Sequence, residues 1–486
     1  AWPPFGARER ASRMAISSGM QQRRLALDDS RPIWRSMLVF LVPVMLSNIL
    51  QSASATFNSI YLGRLIGVQA FAAASAFFPI VFFMIAFFIG IASGATVLIG
   101  QAYGARDEER LKAVAGTTLT LCLGLGVVIG GLGWLFGPQL LGLIRTPPDV
   151  FAQSLAYARV TFLGLPVLFV YLAYTTFVRG TGDSRTPFLA LLVSTALNLL
   201  FTPALIRGWL GLPQIGILSA AVANIVSSVF AIAFMLVALA LEKNPLAFDM
   251  SIVRHMQLAP RLVATLLRIG LPTGLQLVMV SLSEIAVIAL VNRFGSSATA
   301  AYGAVNQIVS YVQFPAISIG IASSIFGAQS IGAKRFDRLT KVARAGVGLN
   351  WAIGAVLIGL VYAFNDRILS LFVTDPAVVA TAHELLAITL WSYLLFGTSS
   401  VLSGLMRSSG TVLWPTLLSI VSIWAVEVPV AYALAPRLGL RGVWIAYPVA
   451  FAASMTFQLG YYFGFWRRKK LTTLLDDNVP AQPVAT

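Results

Sequence analysis

The sequence predicts an all-α integral membrane protein of twelve transmembrane helices, built as two six-helix bundles related by a pseudo-two-fold axis along the membrane normal. Three observations lead there: a composition too apolar for water, apolar runs of helical length, and a motif that occurs twice. Of 486 residues, 58% are hydrophobic and 11% charged, with a mean hydropathy of +0.83. Too few polar side chains exist to cover a water-soluble globule. The apolar runs last about twenty residues or more, as a helix needs to cross a bilayer, whereas barrel strands alternate over about ten. The repeated stretch is Gly100-Gln101-Ala102-Tyr103-Gly104-Ala105-Arg106, which returns as Ala328-Gln329-Ser330-Ile331-Gly332-Ala333-Lys334 at an offset of 228. The same offset carries Arg179 onto Arg407, Gly182 onto Gly410 and Pro187 onto Pro415. Landmarks that keep one spacing mark two homologous halves.

Taken in order, residues 1–35 form a polar N-terminal segment with Arg8, Arg10, Arg13, Arg23 and Arg24, expected to be cytoplasmic. They contain no apolar core, so no cleavable signal is expected. An N-terminal bundle occupies 36–241, with spans at roughly 37–61, 67–99, 112–137, 151–177, 187–206 and 214–241. Residues 242–263 are charged and contain two prolines; they read as a cytoplasmic linker with room for an amphipathic turn. The C-terminal bundle, 264–466, has spans at roughly 264–291, 298–327, 340–363, 379–405, 412–435 and 441–465. The cytoplasmic tail, 467–486, opens on Arg467-Arg468-Lys469-Lys470 and is expected to be mobile. Within the loops, Gly104 and Gly332 are expected to permit tight helix exits. Gly180 and Gly182 let the chain turn back, and Pro187 and Pro415 suit a first helical turn.

The net charge of +16 does not point to nucleic acid, because the basic residues sit in short clusters between apolar runs. Most fall on one side: Arg106, Arg110 and Lys112; Arg179 and Arg185; the linker; Lys334 to Arg344; Arg407; and the start of the tail. That side is cytoplasmic by the positive-inside rule, with both termini inside. Six spans per half is an even number, so the halves enter the membrane with the same polarity. Two such bundles are expected to enclose a central cleft, an architecture of secondary transporters. The single cysteine, Cys122, excludes a disulfide framework within the chain and reads as a small buried hydrophobe. A phosphate-binding Gly-x-x-x-x-Gly-Lys-Ser/Thr motif is absent, two histidines are too few for a metal cluster, and no catalytic constellation is visible. Neither an enzyme nor a bound cofactor is expected.

At this point the residues resemble the multidrug and toxic compound extrusion (MATE) transporters of bacteria. The resemblance covers about 35–465. It rests on Gly-Gln-x-x-Gly-Ala at 100–105, the run from Arg179 to Pro187, Asn198-x-x-x-x-Pro203, Asn306-Gln307, Ala328-Gln-x-x-Gly-Ala333, and Gly439-Leu-Arg-Gly-Val-Trp444. It implies efflux of amphipathic or cationic small molecules across the inner membrane, by a monomer driven by inward H+ or Na+. Two departures matter. Where many bacterial members carry a first-span aspartate, the chain has Asn58, and where a DinF-like branch has a fifth-span aspartate it has Thr202. The N-terminal half thus lacks that acid pair.

A charge at the bilayer centre costs at least a few kcal/mol, so each intramembrane acid is a candidate. Glu284, well inside the seventh span and aligned with Gln276 along one helix face, is the leading choice for the coupling ion, H+ or Na+; the bland alternative is a carboxyl hydrogen-bonded to a neighbouring helix. Glu427 in the eleventh span is either a second ligand or an ion-pair partner of Arg437 or Arg293. His383 and Glu384 read as an interfacial pair in water. Among the amides and hydroxyls in apolar runs, most are packing glue; Asn58, Asn198, Thr202, Gln276 and Asn306 are placed at the cleft, Asn58, Asn198 and Gln276 on the family's pattern. Phe57, Tyr61, Met279, Tyr302, Tyr311 and Tyr393 are candidates for an apolar cation pocket, with ordinary packing as the alternative for each. A rival reading is a lipid-linked saccharide flippase of the same superfamily. It would require a strongly cationic cavity, and the intramembrane candidates here are amides and glutamates.

Overall fold

The computed structural model describes residues 32–370, Phe372 and 375–475. The N-terminal segment before residue 32 and the tail beyond 475 lie outside the described residues. Among those described, twelve helices are long and apolar enough to span a membrane: Ile33–Ile66, Val68–Ala105, Glu108–Leu143, Pro148–Gly180, Arg185–Arg207, Leu218–Leu241, Pro260–Phe294, Ser296–Gly332, Asp337–Ala363, Pro376–Arg407, Leu413–Leu438 and Leu440–Arg468. They are called the first to twelfth spans below. Most run several residues beyond the apolar cores read from sequence, because the helices continue into polar ends where capping residues stop them. The third span starts at Asp107, whose carboxylate accepts a hydrogen bond from Arg110 N at 2.9 Å.

The chain forms two compact units. One holds Leu46–Leu267, and the other holds Arg268 onward together with the described residues up to Met45. The opening turns of the first span therefore belong with the second unit, where Ile33, Met37, Phe40, Leu41 and Val44 join Ile319, Phe326, Leu339, Val342 and Leu402 in one buried cluster.

Within each unit, glycines set the closest helix approaches, as expected where apolar lipid gives helices no hydrophobic reason to associate. In the first unit a Cβ on Gly126 would lie 2.7 Å from Pro166 Cα, and one on Gly130 would lie 2.5 Å from the Phe162 carbonyl oxygen, so spans three and four meet backbone to backbone. In the second unit Gly404 of span ten faces the carbonyl of Gly320 in span eight just as closely.

The repeat offset is not constant, and the helices explain why. Pro43 falls on Pro272, and Arg64 on Arg293, at one residue more than the 228 that relates the later landmarks. A π-turn at Leu62–Ile66 inserts that residue into the first span, after which Gly67 falls on Gly295 at 228. A second π-turn, Ser422–Glu427, inserts a residue into the eleventh span just before Pro429, which has no N–H to donate. Beyond Pro187 and Pro415 the longer offset thus returns, and Asn198 corresponds to Glu427.

Three loop expectations are corrected. Gly104 and Gly332 remain helical; the left-handed residues that end spans two and eight are Arg106 at φ 65° and Lys334 at φ 57°. Gly182 makes its turn at φ 91°, but Gly180 serves close packing, since a Cβ there would meet Ile99. The described start of the tail is packed. Trp466 Nε1 donates to Ser409 Oγ at 2.9 Å, Leu474 lies against Gly410, and Leu475 is buried. The linker does contain a helical turn, Met250–Arg254. Asp249 caps it by accepting from Ile252 N at 2.8 Å, and Lys112 of span three bridges Asp249 at 2.8 Å and Glu108 at 3.1 Å. Gly116 leaves room for His255, whose carbonyl would lie 2.5 Å from any Cβ.

Candidate functional site

Among the described residues, the two acids well inside apolar spans, Glu284 and Glu427, both lie in the second unit. Spans seven and eleven are tied side by side: Trp424 Nε1 donates to the Met279 carbonyl at 3.2 Å, and Tyr432 Oη donates to the Ala286 carbonyl at 3.2 Å. Glu427 lies between Trp424 and Tyr432 on span eleven and Glu284 between Met279 and Ala286 on span seven, so the two carboxyls sit at about the same depth. The two carboxyls lie near one another and near Tyr302 and Tyr393.

The two acids differ in surroundings, and here the sequence reading is corrected. Glu427 is the enclosed one, only 5% exposed. Glu284 is exposed on its unit, because the buried stripe of span seven runs through Ser283, Val287, Leu290 and Val291 and leaves Glu284 and Ile285 outside it. The alternative partners for Glu427 are not used: neither Arg293 nor Arg437 pairs with it, and among the described residues neither Glu427 nor Glu284 has an ion-pair or hydrogen-bond partner.

An aromatic wall stands beside the pair. Tyr302 is buried on span eight, its hydroxyl 3.3 Å from that of Tyr447, its ring stacked on Trp444 at 5.3 Å, and the Asn306 side chain within its reach. Tyr393 of span ten meets Phe451 edge-on at 5.1 Å, and Tyr447 meets the same ring at 6.3 Å. Sequence reading found Tyr302 and Tyr393 but missed Tyr447, Phe451 and the chemical part played by Trp444. The Gly439–Trp444 stretch had pointed to Trp444 as a landmark, and one turn further along the helix lies Tyr447.

The first unit brings together three expected residues without any acid. Thr202 Oγ1 lies 3.5 Å from Asn58 Oδ1, at the outer limit of a hydrogen bond. Asn198, one turn before Thr202 and 3% exposed, has neither its Oδ1 nor its Nδ2 paired with protein. Among the remaining candidates, Gln276, Met279 and Tyr61 are half-buried. Phe57 and Tyr311 are each 44% exposed, and Asn306 is exposed. Tyr311 touches Phe314 edge-on. The interfacial pair is resolved into two contacts: His383 lies between Asn365 and Asp366, each at 2.6 Å, and Glu384 pairs with Arg441. Among the described residues no cluster of His, Cys, Asp or Glu could hold a metal ion.

Twelve helices long and apolar enough to span a bilayer, in two units, define a polytopic membrane protein. The MatE family profile matches residues 43–204 and 272–433, once in each half and with the longer of the two offsets at both ends. The chain belongs to that family, the bacterial multidrug and toxic compound extrusion transporters, and is not an enzyme. It is similar to the probable multidrug resistance protein YoeA of Bacillus subtilis (strain 168), 52% identical over 92% of this chain and 97% of that one. It is also similar to the probable multidrug resistance protein YpnP of the same organism, 27% identical over 91% and 97%. The multidrug export protein MepA of Staphylococcus haemolyticus (strain JCSC1435) is 24% identical over 87% and 92%. Among solved structures, one of a MATE protein in the bent conformation matches at a TM-score of 0.82 and 22% identity, over 92% of this chain and 97% of that one. An outward-facing multidrug resistance MATE transporter matches at 0.82 and 21%, with the same coverage. These structural likenesses speak to the fold alone.

Proposed function

We propose that the chain is a multidrug efflux antiporter of the bacterial cytoplasmic membrane. It would export amphipathic or cationic compounds in exchange for H+ or Na+, by alternating access of its two bundles. Three observations support this reading: membership in the family, the names of relatives that cover nearly the whole chain, and the neighbouring carboxyls of the second unit. The pair Glu284 and Glu427 carries it. Two carboxylates in low-dielectric surroundings repel one another unless a proton or a small cation is shared between them. Loading that ion removes negative charge beside an aromatic wall suited to organic cations, by stacking and cation–π attraction. Ion and substrate would then compete for the same charge, which is what exchange requires, since a ligand shifts an equilibrium only by its differential affinity for the two states. The exposed Glu284 is the natural point of entry and Glu427 the enclosed acceptor.

The test is reconstitution of the full chain in proteoliposomes with a fluorescent cationic dye, under a pH gradient and, separately, a sodium gradient. Glu284→Gln and Glu427→Gln are each expected to fold and insert, yet to lose gradient-driven extrusion by at least about tenfold. If both variants extrude dye at the wild-type rate under either gradient, the carboxyl pair is not the coupling site. If neither gradient drives wild-type export, antiport itself fails.

A further inference from the structure

A second site lies in the same unit, well away in sequence from the acids, where the start of the first span packs on the start of the ninth. An open cleft of about 500 Å³ is lined there by Ile33, Trp34, Lys341, Arg344, Gly348 and Leu349. Its floor is apolar, since Ile33, Leu349 and the neighbouring Val342 are buried in one cluster. Its rim is basic. Lys341, Arg344 and Gly348 recur at three- and four-residue spacing and so occupy one exposed face of span nine. Arg35 reaches the rim only by way of Trp34, its guanidinium 5.2 Å from the centre of that exposed ring. Arg467, from the end of span twelve, and Arg344 both lie near Tyr462.

None of Arg35, Lys341 and Arg344 has a carboxylate partner among the described residues, although the nearby Arg335 finds Asp337 at 3.8 Å. Unneutralised cations above an apolar trough at the end of a membrane span form a two-part receptor, with one part for an anionic head and the other for a hydrocarbon tail. A tryptophan at the same level is the side chain that settles at the bilayer interface. Gly348 adds no side chain to the trough and leaves open space above its Cα.

We propose that this cleft binds an anionic phospholipid, its phosphate held by Lys341, Arg344 and Arg35 and an acyl chain laid along Gly348 and Leu349. The expected topology places it in the cytoplasmic leaflet, where such lipids attract basic clusters. The inference rests on the membrane reading of the fold and not on ion exchange. An anionic lipid seated there would clip the first span to the body formed by spans eight, nine, ten and twelve.

The experiment titrates the detergent-purified full chain with phosphatidylglycerol, phosphatidylcholine or inorganic phosphate, and reads retained lipid per chain by native mass spectrometry. Retention of about one phosphatidylglycerol per chain is expected, in clear preference to phosphatidylcholine, with millimolar phosphate failing to displace it. K341Q/R344Q should weaken it roughly tenfold to thirtyfold, because each cation near the surface contributes about a fivefold factor. W34A, which leaves every charge in place, should weaken it less. R293Q/R437Q removes the same charge from the far ends of spans seven and eleven and should leave it unchanged. Equal retention of both lipids overturns the proposal, as does an equal loss in the two double variants, which would mean diffuse attraction only. Complete displacement by inorganic phosphate overturns it too, assigning the cations to a free anion.

Discussion

Replacing Glu427 by methionine separates a structural acid from a functional one. The side chain is 5% exposed, lies at the end of a π-turn and has no hydrogen-bond or ion-pair partner among the described residues. Burying a polar group without a partner costs about 1–3 kcal/mol, and its replacement by an apolar group of similar volume recovers much of that. Methionine is close in length and adapts to irregular space. Glu427→Met is therefore expected to stabilise the detergent-solubilised chain by about 1–2 kcal/mol, seen as a rise of a few degrees in apparent Tm, while dye extrusion falls to background. Natural sites that trade stability for activity behave this way. Thermal unfolding followed by tryptophan fluorescence, alongside the proteoliposome assay on one preparation, measures both. A fall in Tm by a comparable amount would show that Glu427 holds the eleventh span together, and the coupling role would lose its main physical support.

Two other predictions concern the frame around the site. For Asp249, burial pushes the carboxyl up, but the hydrogen bonds from Lys112 and the backbone N–H groups of Ile252 and Ser251 outweigh it and hold it below the usual carboxylate range. A depressed value stabilises the docked linker above the unfolded pKa of about 4 and loses that contribution as pH falls through the folded value; amide hydrogen exchange in residues 250–254, corrected for its intrinsic rate, should accelerate below about pH 4. Asp249→Ala, which removes both cap and ion pair, should accelerate it at neutral pH by about fivefold, from roughly 1 kcal/mol for the cap and less for the half-exposed pair; no acceleration would mean that the linker is held by Gly116 packing alone. Gly404→Ala should lower stability by about 1–3 kcal/mol, because the new Cβ falls on the Gly320 backbone, which cannot swing aside. Gly359→Ala, with open space around it, should be neutral or gain up to about 1 kcal/mol from helix propensity; equal effects at both positions would refute the packing account.

The architecture was legible because it is written in long-range redundancy. Twelve apolar runs need no tertiary contact to be recognised, and a motif repeated at fixed spacing survives uncertainty at any one helix end. The exits after Arg106 and Lys334 were misread for a local reason: glycine is the usual left-handed residue, so nearby Gly104 and Gly332 attracted a role taken by the following cations. The depth of each acid was misjudged for a geometric reason. Glu284 and Glu427 both lie in apolar runs, but exposure around a helix changes every residue by about 100°, and only packing against neighbours fixes which side is in. The aromatic wall was half seen for the same reason, since Tyr302 and Tyr447 meet across 145 residues of sequence.

The offset changes bear on how the site arose. Once the π-turn residue of span eleven is counted, Asn198 and Glu427 occupy one position of the repeat, and both are enclosed, at 3% and 5% exposure, without a protein partner. Asn58 likewise falls within one turn of Glu284, and each half brings its first and fifth spans together at that level, through Thr202 with Asn58 in one and Trp424 with Met279 in the other. The duplicated frame thus supplies the same enclosed polar position twice. One copy keeps groups that can only hydrogen-bond, and the other carries groups that can also take up a charge. Under the proposed exchange, a symmetric pair of acids would load ions in both halves, whereas an amide on one side would confine titration to the other. Asn198→Asp would restore an acid at the first copy of the position. If ion exchange is confined to the second unit, this variant adds a second titrating step to the pH profile of dye extrusion while Glu284→Gln still abolishes it. Rescue of Glu284→Gln by Asn198→Asp would show instead that either half can drive transport.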